Sequence, residues 1–412
     1  MSATPKTSAA GGGTRPGAGP GALWVLLLAS TLTVMAGSII TPVLEVIRGD
    51  LGVTGTAAGL IITAHGLAIA LSSPVVGWMI DRWGVRVPLG AGLVLYGAAG
   101  GLGLVLDSYP ALIASRFLFG IGAAAVFSGT TVAMLELYRQ GAERDRVMGY
   151  RGTATSLGGV VWPLVGGVLG GLSWHGPFGV YLLGIPLGIA TLLVLPRTGG
   201  AGATPGRPRK GVLRLLRDHP ALLGYYALQA LGSVLMYALV VFLPQRLAQL
   251  GVEHPILVSL YTVVMAAAMS LVGVFYARIR RGRTYQRLLV VALSCWVASF
   301  VLLAGISQPF VLLIAPLLLG LGQGVALPAL TVLVGEGAPA DLRGQATSLS
   351  GTTTFLGQFL SPLLLGPLIA ATSIPTGFGI SAGLAALAVA ALLFFPLSVD
   401  RVGAPGAEPG KT

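Results

Sequence analysis

The chain has 412 residues, 54% of them hydrophobic and only 9% charged, with a mean hydropathy of +0.86, whereas an ordinary soluble chain is about a quarter charged. So few charges cannot form the polar skin of a water-soluble globule, and that class is excluded. The net charge of +12 does not point to nucleic acid, because the basic residues sit in short loops between apolar runs and form no single basic face.

Residues 1–20 are rich in Gly, Ala, Pro, Ser and Thr and cannot bury enough apolar surface to fold, so they read as a disordered tail. With about 20 apolar residues per membrane crossing, twelve runs follow, starting near residues 22, 54, 87, 110, 147, 177, 221, 255, 288, 309, 345 and 376. They are continuously apolar and lack the alternation of outer-membrane strands, which predicts an all-α polytopic fold. The first run is too long for a cleaved signal segment and counts as span 1.

Span 1 carries Ser38, Thr41 and Glu45, the last beside Pro42 and just ahead of Arg48 and Asp50. Glu45 reads as a solvated interfacial carboxylate or as a proton carrier. His65 in span 2 is flanked by apolar residues and is either a titratable group in the pathway or a hydrogen-bonded structural residue. Between spans 2 and 3 the segment GWMIDRWGVR contains Gly77, Asp81, Arg82, Gly84 and Arg86. Gly77 allows close packing, Asp81 can cap a neighbouring helix, Gly84 permits a turn, and the arginines suit anionic headgroups or a carboxylate. Arg116 lies inside span 4, six residues or about 9 Å from its outer end. Such a residue is functional by default unless it snorkels to the headgroups. Glu136 closes span 4, and Gly158, Trp162, Pro163, Gly166 and Gly167 lie in span 5.

Residues 21–196 thus form a first six-helix bundle and 220–398 a second, joined by a linker at 197–219 whose end, from Val212 to Arg217, reads as a basic amphipathic segment. Spans 7 and 10 offer Tyr225, Tyr226, Gln229, Tyr237 and Gln323 as polar or aromatic cavity candidates, with Gln358 of span 11 a weaker one. Cys295 in span 9 is the single cysteine, which excludes an intrachain disulfide and any multi-cysteine metal site. Residues 399–412 form a second tail. Placing the N-terminus inside puts 22 of the 25 basic residues on the cytoplasmic side, so both termini are expected there.

The two halves repeat. RGTATSLG from Arg151 matches RGQATSLS from Arg343 at six of eight positions, FGIG ending at Gly122 aligns with LGLG ending at Gly322, and GWMIDR from Gly77 aligns with GVFYAR from Gly273. Two homologous bundles make a transporter with its cavity between them.

From span 1 to span 12 the sequence resembles the major facilitator superfamily. The Gly77–Arg86 segment is similar to that family's G-x-x-x-D-R-x-G-x-R motif. The resemblance implies a gating latch in which Asp81 meets the start of span 11, near Asp341 to Gln345, when the protein is open outward, and Glu136 pairs with Arg86 or Arg82. In the second copy Ala277 stands where Asp81 does in the first, so the latch is asymmetric. Arg116 resembles the R-x-x-x-G-x-G-x-A motif associated with coupling or an anionic partner. The span 5 segment is similar to the antiporter motif G-x-x-x-G-P-x-x-G-G, with Trp162 in place of a Gly. Trp162 is expected either to obstruct the helix contact there or to line the cavity.

No span carries a mid-membrane Asp or Glu, so strong selection for cations is unexpected, whereas Arg116 would tolerate an anion or zwitterion. The leading expectation is a monomeric secondary transporter in a bacterial inner membrane, exporting small organic molecules by exchange for protons. The alternative is an uptake carrier or facilitator for a small anionic or zwitterionic metabolite. Paired carboxylates, metal-ligand clusters and phosphate loops are missing from the sequence, so no enzyme, cofactor or metal is expected.

Overall fold

The computed structural model describes residues 20–138, 141–197, 216–339, 342–395 and 397, which are helical with no strand among them. Most of the expected linker, the expected N-terminal tail up to residue 19, the expected C-terminal tail and Asp341 lie outside the described residues. Among the described residues, twelve helices are long and apolar enough to cross a membrane: α1 (Gly21–Asp50), α2 (Gly55–Trp83), α3 (Arg86–Leu104), α4 (Tyr109–Leu137), α5 (Glu143–Gly170), α6 (Gly176–Val194), α7 (Ala221–Gln249), α8 (Pro255–Arg280), α9 (Tyr285–Gly305), α10 (Pro309–Gly337), α11 (Arg343–Ala371) and α12 (Ile374–Phe394). Their starts agree with the apolar runs to within four residues. The largest shift is at α5, where the charged segment from Glu143 to Arg146 is helical but not apolar.

Local chemistry fixes the ends. Thr54, Thr284 and Ser373 accept backbone N–H groups at the starts of α2, α9 and α12. Gly84 closes α2 with φ of 76°, a conformation that favours glycine, as the expected turn requires. Helix α1 is broken by a turn at Ile39 and Ile40 and a 3-10 turn at Thr41–Val43. Pro42 has no N–H to continue the ladder there.

The internal repeat is visible in the packing. In the first half α1 packs on α5, α2 on α4, and α3 on both α4 and α6; in the second, α7 packs on α11, α8 on α10, and α9 on both α10 and α12. Each pair recurs with its helix numbers raised by six. The two large contacts between halves, α2 with α11 and α5 with α8, obey the same symmetry.

Those contacts are unequal along their length. One end of the molecule carries the Gly84 turn and most of the loop arginines and is the basic end. At the opposite end the halves touch through glycine: a Cβ added at Gly59 would lie 2.7 Å from Val241 and 2.8 Å from Pro362, and one at Gly167 would lie 2.8 Å from Ser259 Oγ. A Cβ at Gly366 would collide with Thr56. At the basic end a Cβ at Gly149, Gly152, Gly273 or Gly351 would meet nothing within 4 Å. The halves are closed together at one end and stand apart at the other.

Gly59→Leu is therefore expected to lower the stability of the detergent-solubilised protein by about 1–3 kcal/mol through overpacking. Gly224→Ala, on an open face of α7, is expected to leave it unchanged or raise it. Thermal unfolding of the two variants reads the difference.

Candidate functional site

A cavity of about 1240 Å³ lies between the halves, walled by α1, α2, α4, α5, α7, α8, α10 and α11. Of the expected site residues, Ser38, Thr41, His65, Pro163, Tyr237, Gln323 and Gln358 line it. Its wall is otherwise mainly apolar, with Phe127, Met236, Met265, Leu327 and Phe355 prominent and no carboxylate among the lining residues. Phe127 of α4 and Phe355 of α11 meet edge to face, ring centroids 5.2 Å apart, so both halves contribute to one aromatic surface. Methionine side chains adapt to varied apolar shapes, which suits a wall that accepts more than one ligand outline.

Several expected cavity residues do other work. Tyr226 donates its hydroxyl to the Ala346 carbonyl (2.9 Å), and Gln229 donates to Thr354 Oγ1 (2.9 Å) while accepting from Ser350 (2.7 Å). These bonds tie α7 to α11. Tyr225 is buried in the core and does not line the cavity. Gln323 both lines the cavity and donates to the Gly232 carbonyl (2.7 Å). Glu45 is held by Arg48 three residues on, accepting from its Nε at 2.8 and 2.9 Å. It is an ion-paired carboxylate at the closed end and does not line the cavity.

Arg116 neither reaches the headgroups nor lines the cavity: it is fully buried inside the first half. Its Nη2 donates to the Gly100 carbonyl (2.9 Å) in the last turn of the α-helical part of α3. There the negative end of the helix dipole favours a cation. The guanidinium lies over the rings of Phe119, Phe178 and Tyr181, at 4.8, 5.0 and 5.2 Å from their centroids. Ring faces carry partial negative charge, so this box replaces water around a charge that cannot be discharged. Phe119 serves as one wall of it.

The Gly77–Arg86 segment is placed at the basic end as expected, and its side-chain contacts among the described residues stay within the first half. A Cβ at Gly77 would meet nothing within 4 Å, so the close packing expected of it is absent. Asp81 is exposed and has no ion pair among the described residues. Arg82 lies 6.0 Å from the Trp78 ring centroid, and Arg86 donates to the Leu192 carbonyl on α6.

In α5, Gly158 lies against the Thr31 carbonyl of α1, and Gly166 lies against the Ile39 carbonyl where α1 breaks. Trp162 does not line the cavity: its Nε1 donates to the Thr31 carbonyl (3.0 Å). The larger side chain fastens α5 to α1 by a bond that glycine could not make. In the second half Ser361 of α11 donates to the Val234 carbonyl of α7 (2.7 Å), an equivalent fastening.

The structure adds residues that the sequence reading did not place in the site. Arg151 lines the cavity together with Thr153, Thr155 and Ser156 of α5 and Thr262 of α8. Hydropathy hides the charged first turns of α5, so the sequence alone does not mark Arg151 as a cavity residue.

Arg116→Ala is expected to destabilise the protein by about 2–4 kcal/mol, as a large buried side chain and its ring contacts are lost. Ligand affinity of the folded fraction is expected to remain unchanged. Thermal unfolding together with equilibrium binding checks both.

The Major Facilitator Superfamily profile matches residues 26–362, and again 286–412. The chain is 25% identical over 364 residues to the Bacillibactin exporter of Bacillus subtilis (strain 168), covering 84% of this chain and 89% of that protein. It is 28% identical over 371 residues to the class G Tetracycline resistance protein of Vibrio anguillarum, covering 84% and 88%. It is 24% identical over 361 residues to the Quinolone resistance protein NorA of Staphylococcus aureus (strain MRSA252), covering 84% and 89%. In fold it is similar to a peptide transporter POT in complex with sulfate (TM-score 0.78, 18% identity, 93% of this chain and 95% of that chain). A bacterial homolog of the human lysosomal transporter Spinster, in an inward-facing and unoccupied conformation, gives a TM-score of 0.68 at 16% identity, covering 92% and 95%. The chain belongs to the Major Facilitator Superfamily, and it is a multi-pass membrane transporter of that family.

Proposed function

We propose that this transporter exports small, largely apolar organic molecules across a bacterial cytoplasmic membrane, by alternating access and in exchange for protons. The observation that carries the reading is the apolar cavity between the halves, which is closed at one end while the halves stand apart at the basic end. The positive-inside rule assigns the basic end to the cytoplasm, so the cavity is poised to load from inside the cell. The names of the relatives, an exporter and two drug-resistance proteins, support the outward direction.

Lining residues include one imidazole and no carboxylate, which makes His65 of α2 the candidate proton carrier. It sits on the cavity wall, edge-on to Phe119 with ring centroids 5.7 Å apart. The exposure of Asp81 supports a latch that forms when the basic end closes on its substrate. The uptake alternative rests on Arg116 and on the lack of a mid-membrane acid, and Arg116 lies outside the cavity.

The test uses inside-out vesicles with an imposed proton gradient and a pH-sensitive dye. Adding a lipophilic compound is expected to release protons from the acidified lumen as the compound accumulates there. His65→Gln is expected to abolish the proton signal while retaining ligand binding. Asp81→Asn is expected to slow the turnover about tenfold, equivalent to ~1.4 kcal/mol of barrier. Accumulation without any proton movement in the unaltered protein would sink the exchange reading, and failure to accumulate any compound would sink export.

A further inference from the structure

We infer that the cavity selects amphiphilic organic acids, with Arg151 as the residue that recognises the acidic group. This rests on the cavity being the substrate site, and it names the class of substrate that the export reading leaves open. Arg151 is the one formally charged side chain among the lining residues, and no lining carboxylate offsets it. Its Nε is buried with no hydrogen-bond partner among the described residues. No ion pair joins it to any described acid. Arg151 is half-buried on the wall of a mainly apolar cavity, with its Nε unpartnered, and a carboxylate, sulfonate or phosphate on the ligand supplies charge-assisted, bidentate hydrogen bonds to it.

Its depth sets the shape of the ligand. Arg151 precedes Gly170, at the closed end of α5, by 19 residues, a rise of about 28 Å. In a hydrocarbon core about 30 Å thick, that puts the guanidinium near the boundary at the basic end, at the mouth of the cavity. Thr153, Thr155 and Ser156 share this part of the wall, whereas Met236, Met265 and Phe355 belong to its apolar part. A ligand with an apolar body and one acidic end fits this gradient, body inward and acid at the mouth. The repeat shows that the placement is particular to one half. Arg343, the counterpart in RGQATSLS, is the first residue of α11, is exposed and does not line the cavity. Only the first copy, carried eight residues past the start of α5 at Glu143, turns the arginine toward the ligand space.

The experiment measures equilibrium binding of three matched probes to the full chain in phosphatidylcholine nanodiscs: a naphthalene carboxylate, its neutral amide and the corresponding amine. The carboxylate is expected to bind at least tenfold tighter than the amide, and the amine weakest. Arg151→Gln is expected to lower carboxylate affinity about tenfold, the value of one charge-assisted contact, while amide affinity stays within twofold. Arg151→Lys is expected to restore part of the preference. Unchanged amide binding serves as the control for folding. A repeat with phosphatidylglycerol distinguishes the sources of the acid: competition assigns the site to lipid acids, and its absence assigns it to soluble ones. Tightest binding of the amine, no change in Arg151→Gln, or an equal loss for all three probes would overturn the proposal. Failure of export leaves this binding preference intact, so the two readings fall separately.

Discussion

At the closed end of the molecule two helix pairs cross with no room for a side chain, and the rest of the arrangement follows from that contact. Lipid supplies little force to press one apolar helix on another, so association depends on van der Waals contact and interhelical hydrogen bonds, and small residues bring backbones close enough to make both. Gly59 against Val241 and Pro362, Gly167 against Ser259, and Gly366 against Thr56 provide that approach where α2 meets α11 and α5 meets α8. The same helices diverge toward the basic end, where glycines face open space. A pair of bundles joined at one end and parted at the other encloses a wedge-shaped cavity, and closing the basic end requires those contacts to open.

Within each half the helices that flank the cavity are fastened by polar side chains to backbone carbonyls. Helix α1 accepts from Tyr96 at Leu32 (2.7 Å), from Trp162 at Thr31 (3.0 Å) and from Tyr181 at Ala36 (2.8 Å). Helix α7 accepts from Gln323 at Gly232 and from Ser361 at Val234, both at 2.7 Å. The first half adds the Arg116 box, which locks α3, α4 and α6 around one buried charge. These fastenings tie the helices of each half to one another. Flexibility is left to the interface between them, which contains glycine contacts and no ion pair among the described residues.

The twelve spans and the repeat were legible in the sequence because both rest on strong one-dimensional signals: apolar run length, arginine punctuation and the echo of RGTATSLG in RGQATSLS. The cavity was only partly legible. Tyr226 and Tyr237 are eleven residues apart on α7, about 20° of helical phase, so periodicity puts them on one face. They differ in depth: α7 leans on α11 at Tyr226 and borders the cavity at Tyr237. The surroundings of Arg116 were not legible, because its partners come from elsewhere in the chain, at Gly100, Phe178 and Tyr181. Arg151 was hidden for the opposite reason. The charged turns before it look like a loop by hydropathy, although the helix already runs through them.

The central claim, that the halves rock about a contact that alternates between the two ends, is tested most directly by paired distance measurements. Spin labels at Arg146 and Arg278 would report the basic ends of α5 and α8, and labels at Leu172 and His254 the closed end, in a Cys295→Ser background reconstituted in nanodiscs. All four positions are exposed. On lowering the pH with a transported ligand present, double electron–electron resonance is predicted to show the first distance shortening as the second lengthens. Distances that change in the same sense, or that stay fixed while transport proceeds, would contradict the account.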